Sequence, residues 1–224
     1  MSDAIHPVRL FVARDLSYLD GEAWQKRLVG ELAGDPALPG AVVFAEHRPV
    51  VTCGRSGDGG NLLASPEELA GLGIEFHPSG RGGDVTYHGP GQWTVYPILR
   101  LDWYGRDLHR YLRLLEECAI QFLAGFGIAG GRREGLTGAW AGGAKVAAVG
   151  VAVTRWITWH GLAVNIHPDL SRFTNLMRPC GIAAETGGVA SLETISGKRH
   201  GMDDVLPPLK AAVLEVLGLA EAGT

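Results

Sequence analysis

From Lys145 to Ile166 the chain reads KVAAVGVAV, then Thr154 and Arg155, then WITWHGLAVNI. Two apolar runs separated by so short a link have room only for a tight reversal, so the spacing predicts a pair of antiparallel strands. The runs also contain unusually little bulk. Ala147 and Ala148 on the first, with Gly161 and Ala163 on one face of the second, leave an open slot that suits a straight hydrocarbon chain. Lys145 stands at the start of this slot, where the ordinary reading is an edge lysine reaching for water.

Other segments fill out the frame. VRLFVA and AVVFAEH read as strands. DVTYHGPGQWTVYPIL has two alternating arms around His-Gly-Pro-Gly, which predicts a hairpin with a wide loop. SYLDGEAWQKRLVGELA reads as a helix capped by Ser17, and SPEELAGLG as a short one capped by Ser65 with Pro66 in its first position. The longest helix is expected in RDLHRYLRLLEECAIQFLAGFG, with Leu108, Leu112, Leu115, Ala119, Phe122 and Phe126 on its apolar stripe and Cys118 a small core residue beside it. A last helix is expected from Pro207 to Leu217, with its prolines in the first turn. No Pro- or Ser-rich linker divides the chain, so residues 1–224 are expected to form one α/β (α+β) domain, a mixed, largely antiparallel sheet flanked by helices.

Several functions are disfavoured. A net charge of -4 and the lack of a basic stripe argue against nucleic acid as a partner. MSDAIHPVRLFVARD does not read as an export signal, and the longest apolar run, Val146 to Val153, falls far short of the roughly 20 residues a bilayer needs. A soluble cytoplasmic protein with no membrane partner is expected. Three cysteines, none in CxxC, and histidines without HxxxH or HExxH spacing support neither a disulfide framework nor a metal site. GxxxxGK[ST] and a helix-opening GxGxxG are both absent, so phosphate cradling is unsupported.

The chemistry points elsewhere. In SGRGGDVTYHGPGQ, Gly82 and Gly83 let backbone approach a ligand, while Arg81 and His88 bring polar heads to the same region. The competing reading is a glycine-rich turn with a solvated arginine. In RPCG, proline stiffens the chain before Cys180 and glycine opens it afterwards, leaving an accessible thiol rather than the usual buried one. A nucleophilic thiol must ionise, and a cation within about 4–6 Å favours the thiolate. Lys145 is the candidate cation.

Taken together and in this order, RGGDVTYHGPGQ, GGAKVAAVG, HGLAVN and RPCG resemble the octanoyltransferases of lipoate biosynthesis, a family related in fold to lipoate and biotin protein ligases. The resemblance implies an acyltransferase that needs no cofactor. It would take an octanoyl group from octanoyl-acyl carrier protein onto Cys180 as a thioester, then pass it to a lysine ε-amine on a lipoyl domain. The acceptors would be the lipoyl domains of 2-oxoacid dehydrogenase complexes and the glycine cleavage carrier protein. By position, Cys180 carries over as nucleophile and Lys145 as the residue that tunes it and shuttles protons. Arg81, Gly82, Gly83, Asp84, Val85, Thr86, Tyr87 and His88 carry over as substrate contacts, as do Ala148, Val149 and Gly150 and then Gly161, Leu162 and Ala163. His88 is further expected to orient Lys145 or to accept a proton from the incoming amine. Basic spots at Arg132 with Arg133, and at Lys198 with Arg199, are expected to guide acidic partners. An ATP-dependent ligase on the same fold, a transferase working between two lipoyl-bearing proteins, and a non-catalytic acyl-binding module remain the alternatives.

Overall fold

The computed structural model describes residues 5–178 and 188–223, and its frame is a sheet of eight strands. In chain order the first half runs β1 (His6–Leu16), α1 (Tyr18–Gly34), β2 (Gly40–His47), β3 (Val50–Cys53), α2 (Pro66–Gly71), β4 (Glu75–Pro78), β5 (Val85–His88) and β6 (Gln92–Ile98). A 3₁₀ turn (Leu101–Tyr104) leads to α3 (Leu108–Ala124), β7 (Gly131–Arg133), β8 (Leu136–Ala141), β9 (Ala144–Thr154) and β10 (Ile157–Asn165). The chain ends with α4 (Ser171–Asn175), α5 (Leu192–Ser196), α6 (Met202–Leu217) and β11 (Leu219–Glu221).

The large sheet has the order β11-β1-β2-β6-β10-β9-β8-β7. Only β1 with β11 and β1 with β2 are parallel, so the sheet is mixed and largely antiparallel, as the sequence predicts. One face is covered by α3 and α6, where Leu115, Phe122, Val205 and Leu209 pack with Val95, Val146 and Val164. Each such buried side chain contributes about 1.5–3 kcal/mol. On the other face α1 sets Leu28, Val29 and Leu32 against Ala41, Val43 and Tyr96. A second sheet, β4-β3-β5, has its own apolar cluster, built from Val51, Leu69, Val85, Tyr87 and Phe173.

The two N-caps form as expected: Ser17 accepts from Asp20 N–H, and Ser65 forms a reciprocal capping box with Glu68. Cys118 is fully buried in the core. Four expectations are corrected. The DVTYHGPGQWTVYPIL arms do not pair: β5 joins β3 in the small sheet, while β6 runs between β2 and β10. Both arms are buried along their whole length, so neighbours from elsewhere in the chain outcompete the local reversal. The β9–β10 turn falls on Arg155 and Trp156, at φ +51° and +62°, not on Thr154 and Arg155. That mirror-image turn ordinarily uses Asn-Gly, and here Arg106 lying over the Trp156 ring helps to hold it. α6 begins at Met202, with Pro207 and Pro208 inside it rather than in its first turn. The stripe on α3 is centred on Tyr111, Leu115, Ala119 and Phe122, while Leu108 is exposed and α1 equals α3 in length at 17 residues.

Candidate active site

β9 and β10 pair with Ala148 opposite Ala163 and Gly150 opposite Gly161, which brings the small residues of the two runs together. Their slot becomes a cavity once the loop before β5 closes over it. Gly82 N–H donates to the Val151 carbonyl at 2.8 Å, and a Cβ on Gly150 would stand 2.8 Å from the Gly82 oxygen. Only glycine allows that approach. The loop is also fixed from behind: Arg81 Nη2 donates to both the carbonyl and the hydroxyl of Thr52 at 2.8 Å, and Arg55 and Ser56 N–H groups donate to the Arg81 and Gly83 carbonyls. Arg81 is therefore a buried brace as well as a wall, not a solvated head.

The space is about 500 Å³ including its mouth. Arg81, Gly82, Gly83, Thr86 and His88 line it from one side, with Ala148, Val149, Gly150, Gly161, Leu162 and Ala163 from the sheet. Asp84, Val85 and Tyr87 do not line it. Side chains alternate along a strand, so β5 turns Thr86 and His88 inward while Val85 and Tyr87 enter the small sheet's apolar cluster. Asp84 instead accepts a hydrogen bond from Asn61. The sequence reading missed Tyr18, Thr94, Tyr96 and His160, which complete the lining.

A second cavity, about 320 Å³ including its mouth, adjoins the first through the shared Thr86 and Ala148. It contains Lys145, 5% exposed rather than snorkelling at an edge, with Gln92, Asn165, Phe173 and Val189 around it. Lys145 Nζ lies 4.8 Å from the centre of the Trp140 ring. Gly138 makes room for the stem: a Cβ there would stand 3.0 Å from Lys145 Cε, and its φ of +138° is one that L side chains rarely adopt. Glu116 holds Gly138 in turn. Its buried carboxylate accepts from Gly138 N–H and pairs with Arg113 and Arg132.

His88 is joined to the Lys145 backbone by a relay of amides. Its Nδ1 faces Gln92 Oε1 at 2.7 Å, Gln92 donates to Asn165 Oδ1, Asn165 donates to the Ala190 carbonyl, and Ala190 N–H donates to the Lys145 carbonyl. Burial, helped by His47 and Arg81, lowers His88 to about 3. It is thus neutral near pH 7 and a poor proton store, which weighs against its expected role as acceptor from the amine. His47 is lowered to about 4 by burial; its Nδ1 faces the Leu16 carbonyl, so its Nε2 accepts from Tyr96 O–H. Burial, followed by Arg81, lowers His160 to about 3.

Cys180 lies outside the described residues. The described chain reaches Arg178, whose N–H donates to the Asn61 carbonyl, and resumes at Gly188, whose carbonyl accepts from Lys145 N–H. Of the expected basic spots, Arg132 is engaged by Glu116 and Glu117, and Arg199 by Glu193. No helix among the described residues is long and apolar enough to cross a membrane.

The family model of the lipoyl protein ligase A/B catalytic domain matches residues 17–214. The chain is 44% identical to the octanoyltransferase of Gloeobacter violaceus over 175 residues, 78% of this chain and 76% of that one. It is 40% identical to the octanoyltransferase of Chloroflexus aggregans over 217 residues, 95% of this chain and 97% of that one. Among solved structures, lipoate-protein ligase A bound with ATP superposes with a TM-score of 0.73 at 15% identity, covering 99% of this chain and 89% of that one, a likeness of fold.

Proposed function

Because this chain belongs to the octanoyltransferases of the lipoyl protein ligase A/B catalytic-domain family, and is an acyltransferase of lipoate biosynthesis, we propose that it loads octanoate from octanoyl-acyl carrier protein onto Cys180 and passes it to a lysine on a lipoyl domain. The whole chain acts as one catalytic domain. The observation that carries this reading is the buried Lys145 in a cavity that adjoins a largely apolar one across Thr86 and Ala148.

In the first step the Cys180 thiolate attacks the thioester carbonyl, a C–S bond to the enzyme forms, and the carrier's sulfur leaves and takes a proton. In the second, the neutral ε-amine of the acceptor lysine attacks the new thioester, a C–N bond forms, Cys180 sulfur leaves, and the amine nitrogen loses a proton. Lys145 supplies and recovers these protons, and its ammonium form favours the thiolate. The alkyl chain lies between β9, β10 and the Arg81–His88 segment, out of water. Thioester exchange is near isoenergetic and amide formation is downhill, so the sequence needs no nucleotide. Lipoyl domains of 2-oxoacid dehydrogenase complexes and the glycine cleavage carrier are the acceptors, and the reaction is cytoplasmic.

Incubation with octanoyl-acyl carrier protein, without ATP, is expected to add one octanoyl mass that peptide mapping places on Cys180. A lipoyl domain should then remove it. Octanoylation of the acceptor that needs ATP, with no acyl-enzyme, overturns the reading.

A further inference from the structure

Thr86 stands where the two cavities meet. It borders both, as does Ala148 from β9, and it is 8% exposed. Across the small sheet it pairs with Thr52, whose hydroxyl accepts from Arg81 Nε at 3.2 Å and Nη2 at 2.8 Å. The Thr86 hydroxyl itself pairs with no group among the described residues. The amides beside it in the Lys145 cavity are committed elsewhere. Gln92 Nε2 donates to the Tyr87 carbonyl at 3.3 Å and to Asn165 Oδ1 at 2.9 Å, and Asn165 Nδ2 donates to the Ala190 carbonyl at 3.0 Å. A valine would fill the same place and suit a strand equally well, whereas a hydroxyl buried without a partner destabilises.

The chemistry of the cargo says what would pair with it. Resting on the acyl-transfer reading above, a group that reacts beside Lys145 and keeps its alkyl chain in the apolar cavity passes between Thr86 and Ala148. Because Thr86 and Lys145 border the same small cavity, that crossing adjoins the reacting head of the group. A saturated acyl thioester offers one good acceptor there, its carbonyl oxygen, and its alkyl carbons offer none.

We infer that Thr86 Oγ1–H donates to the carbonyl oxygen of the acyl group and holds it at the crossing while the thiolate, and later the amine, attacks. Negative charge builds on that oxygen in both attacks, so the bond strengthens in both transition states.

Thr86→Val keeps the shape and the branching and deletes the donor, while Thr86→Ser keeps the donor. With octanoyl-acyl carrier protein and a lipoyl domain as substrates, kcat is expected to fall roughly 10²–10³-fold in Thr86→Val with little change in the donor's KM, and Thr86→Ser should recover most of the loss. A second readout follows the bond directly. In the acyl-enzyme made with an isotope-labelled carbonyl, the infrared carbonyl band of the unaltered protein should lie below that of the same thioester in a hydrocarbon solvent, and Thr86→Val should raise it. An unchanged kcat in Thr86→Val, a Thr86→Ser variant no better than Thr86→Val, or an unaltered acyl-enzyme whose band sits at the hydrocarbon position overturns the inference. Failure of the unaltered protein to form an acyl-enzyme from any donor overturns the acyl-transfer reading itself, which separates the two results.

Discussion

Lys145 and Val189 pair as a parallel bridge, with Lys145 N–H donating to the Gly188 carbonyl at 3.0 Å and Ala190 N–H to the Lys145 carbonyl at 2.9 Å. The second arm of the segment that contains Cys180 is thus fastened to the backbone of the proposed proton carrier. Lys145→Met keeps that pairing and the apolar stem while deleting the amine. Octanoyl transfer is expected to fall roughly 10²–10⁴-fold with little change in melting temperature. Near-native steady-state rates in this variant would remove the lysine from the mechanism.

The cysteines should differ in kind. Burial holds the Cys118 thiol well above its usual range. Iodoacetamide is expected to leave it unlabelled until denaturant is added, while Cys180 alkylates quickly with a midpoint below the roughly 8.5 of a free thiol. Slow, featureless labelling of Cys180, read by peptide mass spectrometry, would favour a non-catalytic acyl-binding module.

Gly150→Ala sets a methyl group against the Gly82 carbonyl and near Arg81 Cδ. Overpacking of this kind costs about 1–3 kcal/mol. The expected outcome is a lower urea midpoint together with a raised KM for the octanoyl donor. An unchanged KM would show that the loop before β5 does not close on the acyl chain.

Glu116→Ala removes the acceptor for Gly138 N–H and leaves Arg113 and Arg132 without their buried partner. The arginines are exposed enough to turn to water and Arg132 keeps Glu117, so the main loss is the buried acceptor of Gly138 N–H, about 1–3 kcal/mol. Chemical denaturation should register a loss of that order, and transfer should slow as well, because Gly138 sets the course of the lysine stem. Stability within about 0.5 kcal/mol of the unaltered protein would contradict this role, since that is the range of ordinary surface substitutions.

Acid should destabilise the fold through its buried imidazoles. Burial lowers His47 to about 4 and His88 and His160 to about 3. As pH falls below about 6.5 the unfolded chain takes up protons that the folded chain refuses, each site giving a slope of about 1.4 kcal/mol per pH unit. The stability is fully present above about pH 6.5 and is lost as pH falls toward the folded values. Urea midpoints measured at pH 7 and pH 5 should therefore drop, and His160→Asn should flatten the drop by one site's share. Equal midpoints at both pH values would contradict the buried, neutral assignment.

Much of this arrangement was legible in the sequence because it depends on local chemistry. The β9–β10 pair, the two serine caps and the small residues of the slot are each set by a few adjacent positions. What was missed depends on distant ones. β5 and β6 resemble two arms of a hairpin until both prove buried on every side, and no local pattern announces which other strands do the burying. Tyr18 enters the cavity from a helix start with no distinguishing signal. Gln92 and Asn165 did carry one: amide side chains in otherwise apolar runs need partners, and they find each other across β6 and β10. The turn at Arg155 and Trp156 lacks the glycine or asparagine that would have marked it.

β9 carries Lys145 at one end and, a few residues on, the Ala148, Val149 and Gly150 that border the cavity. Lineages that drift toward a different cargo cannot freely reshape this strand without disturbing the amine it bears. Innovation in cargo is therefore channelled to the facing strand and to the loop before β5, and β9 should be the slowest of the walls to diverge.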